Sequence, residues 1–159
     1  LDKEIYSYSK HEKNELVIKK LLNYTLPFEQ SNEITEELFD ELKLGNGLFN
    51  SLYLNEKEVM ELKNGGQVIG SHAFDHQVLS SLSKKQQDSQ INHSIKFLKK
   101  YMPEDLKIFC FPYGYKMSYN ERTLELLKKY KFDYAFVFDN KENTHFNRLE
   151  LSRLDCNKF

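Results

Sequence analysis

GGQVIGSHAFDH, residues 65–76, decides how this chain folds. Gly65 and Gly66 close an amphipathic stretch, NEKEVMELKN at 55–64, and the run QVIGS at 67–71 is apolar enough for a strand and too short for a helix. A helix therefore feeds a strand, and that strand runs out into two histidines, His72 and His76. The alternation continues downstream. Ser83 and Gln86 stand at capping-box spacing and open a long helix, SKKQQDSQINHSIKFLKKY, with Ile91, Ile95 and Leu98 along one face before Pro103. KIFCF at 107–111 reads as a second strand, and Ser118 with Glu121 repeats the capping spacing ahead of NERTLELLKKY. DYAFVF at 133–138 supplies a third β-rich run and LELSRLD at 149–155 a fourth. Strands near 67–71, 107–111, 132–138 and 149–155 with helices between them require crossover connections, hence a parallel sheet covered by helices and an α/β class.

Upstream of this core, Leu16, Ile18, Leu21 and Leu22 recur at helical spacing, as do Leu38, Leu42 and Leu44. TLPFEQSNE at 25–33 breaks the phase at Pro27 and reads as a connector; Gly45 and Gly47 punctuate the exit of the second helix. Residues 14–44 are expected to form a helical insertion outside the sheet. The organisation is a single domain over 1–159, with 1–50 a helical segment and 51–159 the α/β core.

The charge pattern excludes one class of partner. Formal net charge is -1 and the Lys and Glu are interspersed, so no basic field exists to hold a nucleic acid backbone. Cys110 and Cys156 lie far apart and outside any CxxC pattern, which reads as buried free thiols. No apolar run approaches the roughly 20 residues of a membrane-spanning helix, and LDKEIYSYSKHEK has no apolar signal core. A soluble chain is expected, with the compartment open between cytoplasm and cell envelope.

Chemistry concentrates just past the strands. His72 and His76 follow the carboxyl end of QVIGS, where active sites of parallel α/β sheets assemble, and two imidazoles at this spacing converge on one metal if the backbone turns. In FCFPYGY, Pro112 fixes a bend after KIFCF and Gly114 opens conformations closed to other residues, so the turn is able to aim a backbone N–H at a developing oxyanion.

In this order and spacing the two stretches resemble the polysaccharide deacetylase (NodB homology) family. The resemblance rests on Ser71, His72 and His76, then Leu79, Leu82 and Ser83, then Pro112, Tyr113 and Gly114, and finally LSRLD with Arg153, over roughly residues 52–157. It implies an incomplete (β/α) barrel of that type. It also implies a divalent metal, zinc foremost, on His72 and His76, and a carbohydrate substrate held at Phe111, Pro112, Tyr113 and Gly114. The backbone N–H of Tyr113 would be the oxyanion donor of an N-acetyl-sugar hydrolase.

Three departures accompany the matches. The family's Asp-Asp-Gly, source of the base and third metal ligand, is absent from the chain; Cys110 stands where many members carry an Arg; and the late Leu-x-x-His does not occur, His145 reading as a solvated loop residue. The chain as given is therefore expected to lack its base, with Asp75 read as a solvent-facing loop carboxylate. The alternative is a catalytically inactive carbohydrate-binding domain of the same fold that keeps Phe74, Phe111, Tyr113 and Tyr115. The barrel is expected to be open where the first strand would lie, with that edge covered by a helix or by a second copy of the chain.

Overall fold

The computed structural model describes residues 13–43 and 46–154. These fall into two compact units that divide between Val59 and Met60.

The described residues of the first unit are helical and contribute no strand: α1 (Lys13–Lys20), a π-helical turn (Leu21–Thr25), α2 (Phe28–Glu41), α3 (Asn46–Leu52) and the opening of α4 (Glu56–Asn64). Two expectations change here. TLPFEQSNE is only briefly a connector, because Pro27, whose missing N–H is no loss at a helix start, is the N-cap of α2 and the helix begins at Phe28. Gly47 lies inside α3 instead of punctuating an exit; Leu44, Gly45 and the residues before Lys13 fall outside the described residues. None of the side chains of α1, α2 or α4 is buried. Local bonds hold these helices instead. The Ser31 hydroxyl donates to the Leu22 carbonyl at 2.8 Å, and the Asn55 side chain accepts from the N–H groups of Lys57 and Glu58 while Glu58 accepts from the Asn55 N–H.

The second unit carries the sheet. Parallel strands β1 (Ile108–Cys110), β2 (Tyr134–Val137) and β3 (Leu151–Ser152) lie in the order β1-β2-β3, with Phe109 opposite Ala135 and Phe136 opposite Leu151. α5 (Lys84–Leu98) and α6 (Glu121–Lys129) supply the crossovers. The α/β class and the parallel sense follow the sequence pattern, and the three strands form an open sheet. Strands two to four are shorter than the periodicity suggests, and Asp155 and Cys156 lie outside the described residues.

The run 67–71 is not a strand. Only Ser71 pairs, as an isolated parallel bridge to Phe109, donating its N–H to the Ile108 carbonyl and accepting from the Cys110 N–H, both at 2.8 Å. The Gln67 N–H is still engaged by the Leu62 carbonyl at the end of α4, at 3.0 Å. Gly70 rides close on β1, where a Cβ would sit 2.9 Å from the Ile108 carbonyl oxygen. Val68 is 52% exposed, and among the described residues no strand pairs with this run on the side away from β1.

Caps decide where the crossover helices begin. Ser83 and Gln86 form the expected capping box on α5, but α6 is capped by Asn120 with Thr123, not by Ser118 with Glu121. Ser118 is buried and donates its hydroxyl to the Tyr115 carbonyl at 2.7 Å in the short turn Lys116–Ser118. The core joins Ile91, Leu126 and Leu127 of the helices to Phe109 and Ala135 of the sheet. Phe109 meets Phe111 and Phe132 edge to face, and Phe111 stacks on Tyr119 with ring centroids 4.1 Å apart. Cys110 is a free, half-buried thiol whose pKa burial raises, against a downward pull from Arg153.

Candidate functional site

The loop after Ser71 and the turn after β1 leave the same end of the sheet, and four left-handed residues shape them. Ala73 (φ 61°), His76 (φ 54°) and Tyr113 (φ 62°) hold a conformation uncommon for non-glycine residues, and Gly114 (φ 71°) follows Tyr113 in it. Their effect is to fold the loop back so that its two histidines face one another. The rings of His72 and His76 lie edge to face with centroids 4.7 Å apart, and His76 rests on Tyr113 at 4.8 Å. Two imidazoles bound to one tetrahedral ion at about 2.1 Å have centroids roughly 5 Å apart, so this spacing suits a shared ligand.

The ring of His72 is oriented by the sheet itself. Its Nδ1 lies 2.7 Å from the Cys110 carbonyl oxygen. A carbonyl only accepts, so Nδ1 carries the proton and the lone pair sits on Nε2, the tautomer of a metal-binding imidazole whose other nitrogen is tied down. His76 stands against Tyr113 and His72, and its pKa is lowered first by lost hydration and then by the charge of His72, with a bond to its own main chain pulling the other way. Two protons on this pair repel, which favours the neutral form a metal requires. Among the described residues no group of three or more His, Cys, Asp or Glu side chains is placed to hold a metal ion, so the pair has no third candidate ligand beside it there.

The Pro-Tyr-Gly turn divides its residues between core and cleft. Phe111 is fully buried and stacked on Tyr119, and Pro112 is buried too, so these two side chains form the floor under the turn and do not meet solvent. Tyr113 borders the histidines. Gly114 is fixed from two sides: its carbonyl accepts the Phe138 N–H at 2.8 Å, and its missing Cβ leaves room for Phe138 and for the Arg153 guanidinium. Arg153 in turn donates Nε to the Val137 carbonyl at 3.2 Å. Tyr115 packs edge to face on Phe138, Phe74 is 53% exposed against His93, and His145 is exposed.

Two residues that hold the site escape a reading of the sequence. Gln90 of α5 is buried and its side-chain oxygen accepts the N–H groups of Phe74 and Asp75 at 3.2 and 2.8 Å, while its nitrogen donates to the Asp75 carboxylate at 2.7 Å. Ser94, one helical turn on, shares a 2.7 Å hydroxyl bond with Ser71. The signal for them is present but quiet: Gln87, Gln90 and Ser94 share the inward stripe of α5 with Ile91, and polar residues on an apolar stripe need partners.

Residues 13–135, more than half of the chain, match the family described as polysaccharide deacetylase. The chain is also similar to "Putative polysaccharide deacetylase YxkH" of Bacillus subtilis (strain 168), with 30% identity over 86 residues, 54% of this chain and 30% of that protein. It thus spans under a third of the length of this curated relative. No solved structure matches the chain. Among the described residues, no helix is long and apolar enough to cross a membrane.

Proposed function

The chain belongs to the polysaccharide deacetylase family, and we propose that it forms part of a metal-dependent hydrolase removing an N-acetyl group from a carbohydrate. The observation that carries this is the oriented histidine pair: His72 Nδ1 bonded to the Cys110 carbonyl at 2.7 Å, with the His76 ring 4.7 Å away. A bound divalent ion, zinc foremost, would acidify a water and polarise the amide carbonyl. The residues' own work is narrower. His72 offers Nε2 because its Nδ1 proton is committed, and His76 is kept neutral by its setting. The main-chain N–H of Tyr113, beside His76 in the left-handed turn, donates to the oxygen that gains charge as the amide carbon becomes tetrahedral. The open sheet, continued at Ser71 by one bridge, reads as an arc of an incomplete (β/α) barrel with the cleft at its carboxyl end.

A base and a third ligand must join these residues for turnover. Asp75 is not the base in this reading, because its carboxylate is turned onto Gln90. Zinc titration of this chain, paired with acetate release from N-acetylated oligosaccharides by the longest available form of the protein, tests the proposal. His72→Ala and His76→Ala are each expected to abolish zinc binding and acetate release together. Zinc binding without acetate release in that longer form would replace the hydrolase by an inactive carbohydrate-binding domain. Full activity in either alanine variant would overturn the assignment of the pair.

A further inference from the structure

We infer that Gln90 is the positioning residue of the histidine pair, and that Asp75 is its hydrogen-bond partner and not a member of the reacting set; this rests on the reading of His72 and His76 as metal ligands. Between the two histidines the chain makes a loop whose own residues provide little to fix it. Ala73 and His76 sit at positive φ, and Phe74, Asp75 and His76 are exposed. The buried Gln90 amide on α5 ties down the middle of the loop. Its oxygen takes two successive main-chain N–H groups, Phe74 at 3.2 Å and Asp75 at 2.8 Å, and its nitrogen gives a bond of 2.7 Å to the Asp75 carboxylate.

That set of bonds selects the residue type. An amide both accepts and donates, so one side chain satisfies two N–H donors and one carboxylate; a carboxylate at 90 accepts but does not donate, and an apolar residue does neither. Three bonds from a buried side chain to adjacent loop residues fix the loop's height above α5, and with it the distance at which His76 meets His72. Ser94, bonded to Ser71 at 2.7 Å, fixes the loop's root in the same way. The helix thus sets the geometry of two ligands it does not itself carry. Outer-shell partners of metal ligands typically change metal affinity by about 10–100-fold.

The test exploits the reciprocity of the bond. Gln90→Glu keeps the acceptor for both N–H groups and sets a second carboxylate against Asp75, so zinc affinity should fall at least about tenfold. Asp75→Asn alone should stay close to wild type, since an amide oxygen still accepts from Gln90. In the exchanged pair, Gln90→Glu with Asp75→Asn, the donor and acceptor trade places and zinc affinity should return to within a fewfold of wild type. A filler role for Gln90 would give no such rescue. Gln90→Met, similar in shape, checks the same point with no new charge. Hydrogen exchange of the Phe74 and Asp75 amides, measured without metal, gives a second readout: both should be protected in wild type and in the exchanged pair, and should exchange faster in Gln90→Met.

Wild-type zinc affinity in a folded Gln90→Met, or loss in Gln90→Glu that Asp75→Asn does not restore, overturns the inference, as does equal amide exchange in wild type and Gln90→Met. Absence of zinc binding in wild type sinks the metal reading by itself. The exchange rates of the two amides then still decide whether Gln90 holds the loop.

Discussion

Replacing Gly114 by alanine should cost this protein about 2–5 kcal/mol, and the figure follows from two separate effects at one position. The residue sits at φ +71°, where an L side chain costs about 1–2 kcal/mol. An added Cβ would also lie 2.9 Å from both the main-chain nitrogen and the Cβ of Phe138, and 3.3 Å from an Arg153 nitrogen. The terminal Arg153 nitrogen is the end of a long side chain and gives way at little cost, but the Phe138 nitrogen is the donor of the 2.8 Å bond to the Gly114 carbonyl, so it does not move without weakening the link from the turn to the chain after β2. Overpacking of this kind typically adds about 1–3 kcal/mol. Against an ordinary domain stability of about 5–15 kcal/mol the sum is a large fraction. Urea unfolding followed by circular dichroism measures it, with two other glycines as internal standards. Gly66 has φ +85° and nothing within 4 Å, so Gly66→Ala should show the backbone cost alone. Gly47 lies in α3 with open space around it, so Gly47→Ala should be neutral or stabilise by up to about 1 kcal/mol. A Gly114→Ala protein no less stable than Gly66→Ala would show that the Phe138 contact is not a constraint and would refute the reasoning.

Two further outcomes follow from the same structure. The pKa of His76 is lowered from 6.5 on folding, so between the folded and unfolded values the unfolded chain binds more protons; the stability concerned is fully present above about 6.5 and is lost as pH falls through the folded value. Urea midpoints from about pH 8 to about pH 5 should therefore decline below 6.5, and His76→Gln should flatten that part of the profile. An unchanged slope in the variant would count against it. The lowered pKa of Glu150, where burial pushes upward but bonds from Lys116 and Tyr119 outweigh it, acts only below its ordinary 4.5 and does not enter this window. Thr123→Val should cost about 1–3 kcal/mol, because the fully buried Thr123 hydroxyl donates at 2.7 Å to the equally buried Gln87 side chain and its removal strands that acceptor. Thr123→Val with Gln87→Met should recover part of the loss, and a single variant as stable as wild type would show that water or a rotated side chain satisfies Gln87.

Periodicity and punctuation marked most of the helices and three of the four expected strands, and determined that the strands run parallel, since a strand, a helix and another strand in sequence leave room for little else. The Ser83 cap on α5 was legible for the same reason: it is made by residues three apart. His72, His76 and the Pro-Tyr-Gly turn were legible as a set because each follows a strand-like run and their order matches a known family. What depended on contacts between distant residues was not. QVIGS has the composition of a strand, but a strand needs a neighbour, and only Ser71 reaches β1. Ser118 stands at capping distance from Glu121, but the cap is made by Asn120 with Thr123, whose hydroxyl is buried against Gln87 of another helix. Phe111 shares its motif with Tyr113, yet one side chain stacks in the core and the other borders the cleft, because the chain leaves β1 after Phe111 and turns into a left-handed conformation at Tyr113 itself. Gln90 lies fourteen positions after His76, a separation at which no local pattern marks a contact. Only the packing of α5 against the histidine loop turned a polar residue on an apolar stripe into the group that holds that loop in place.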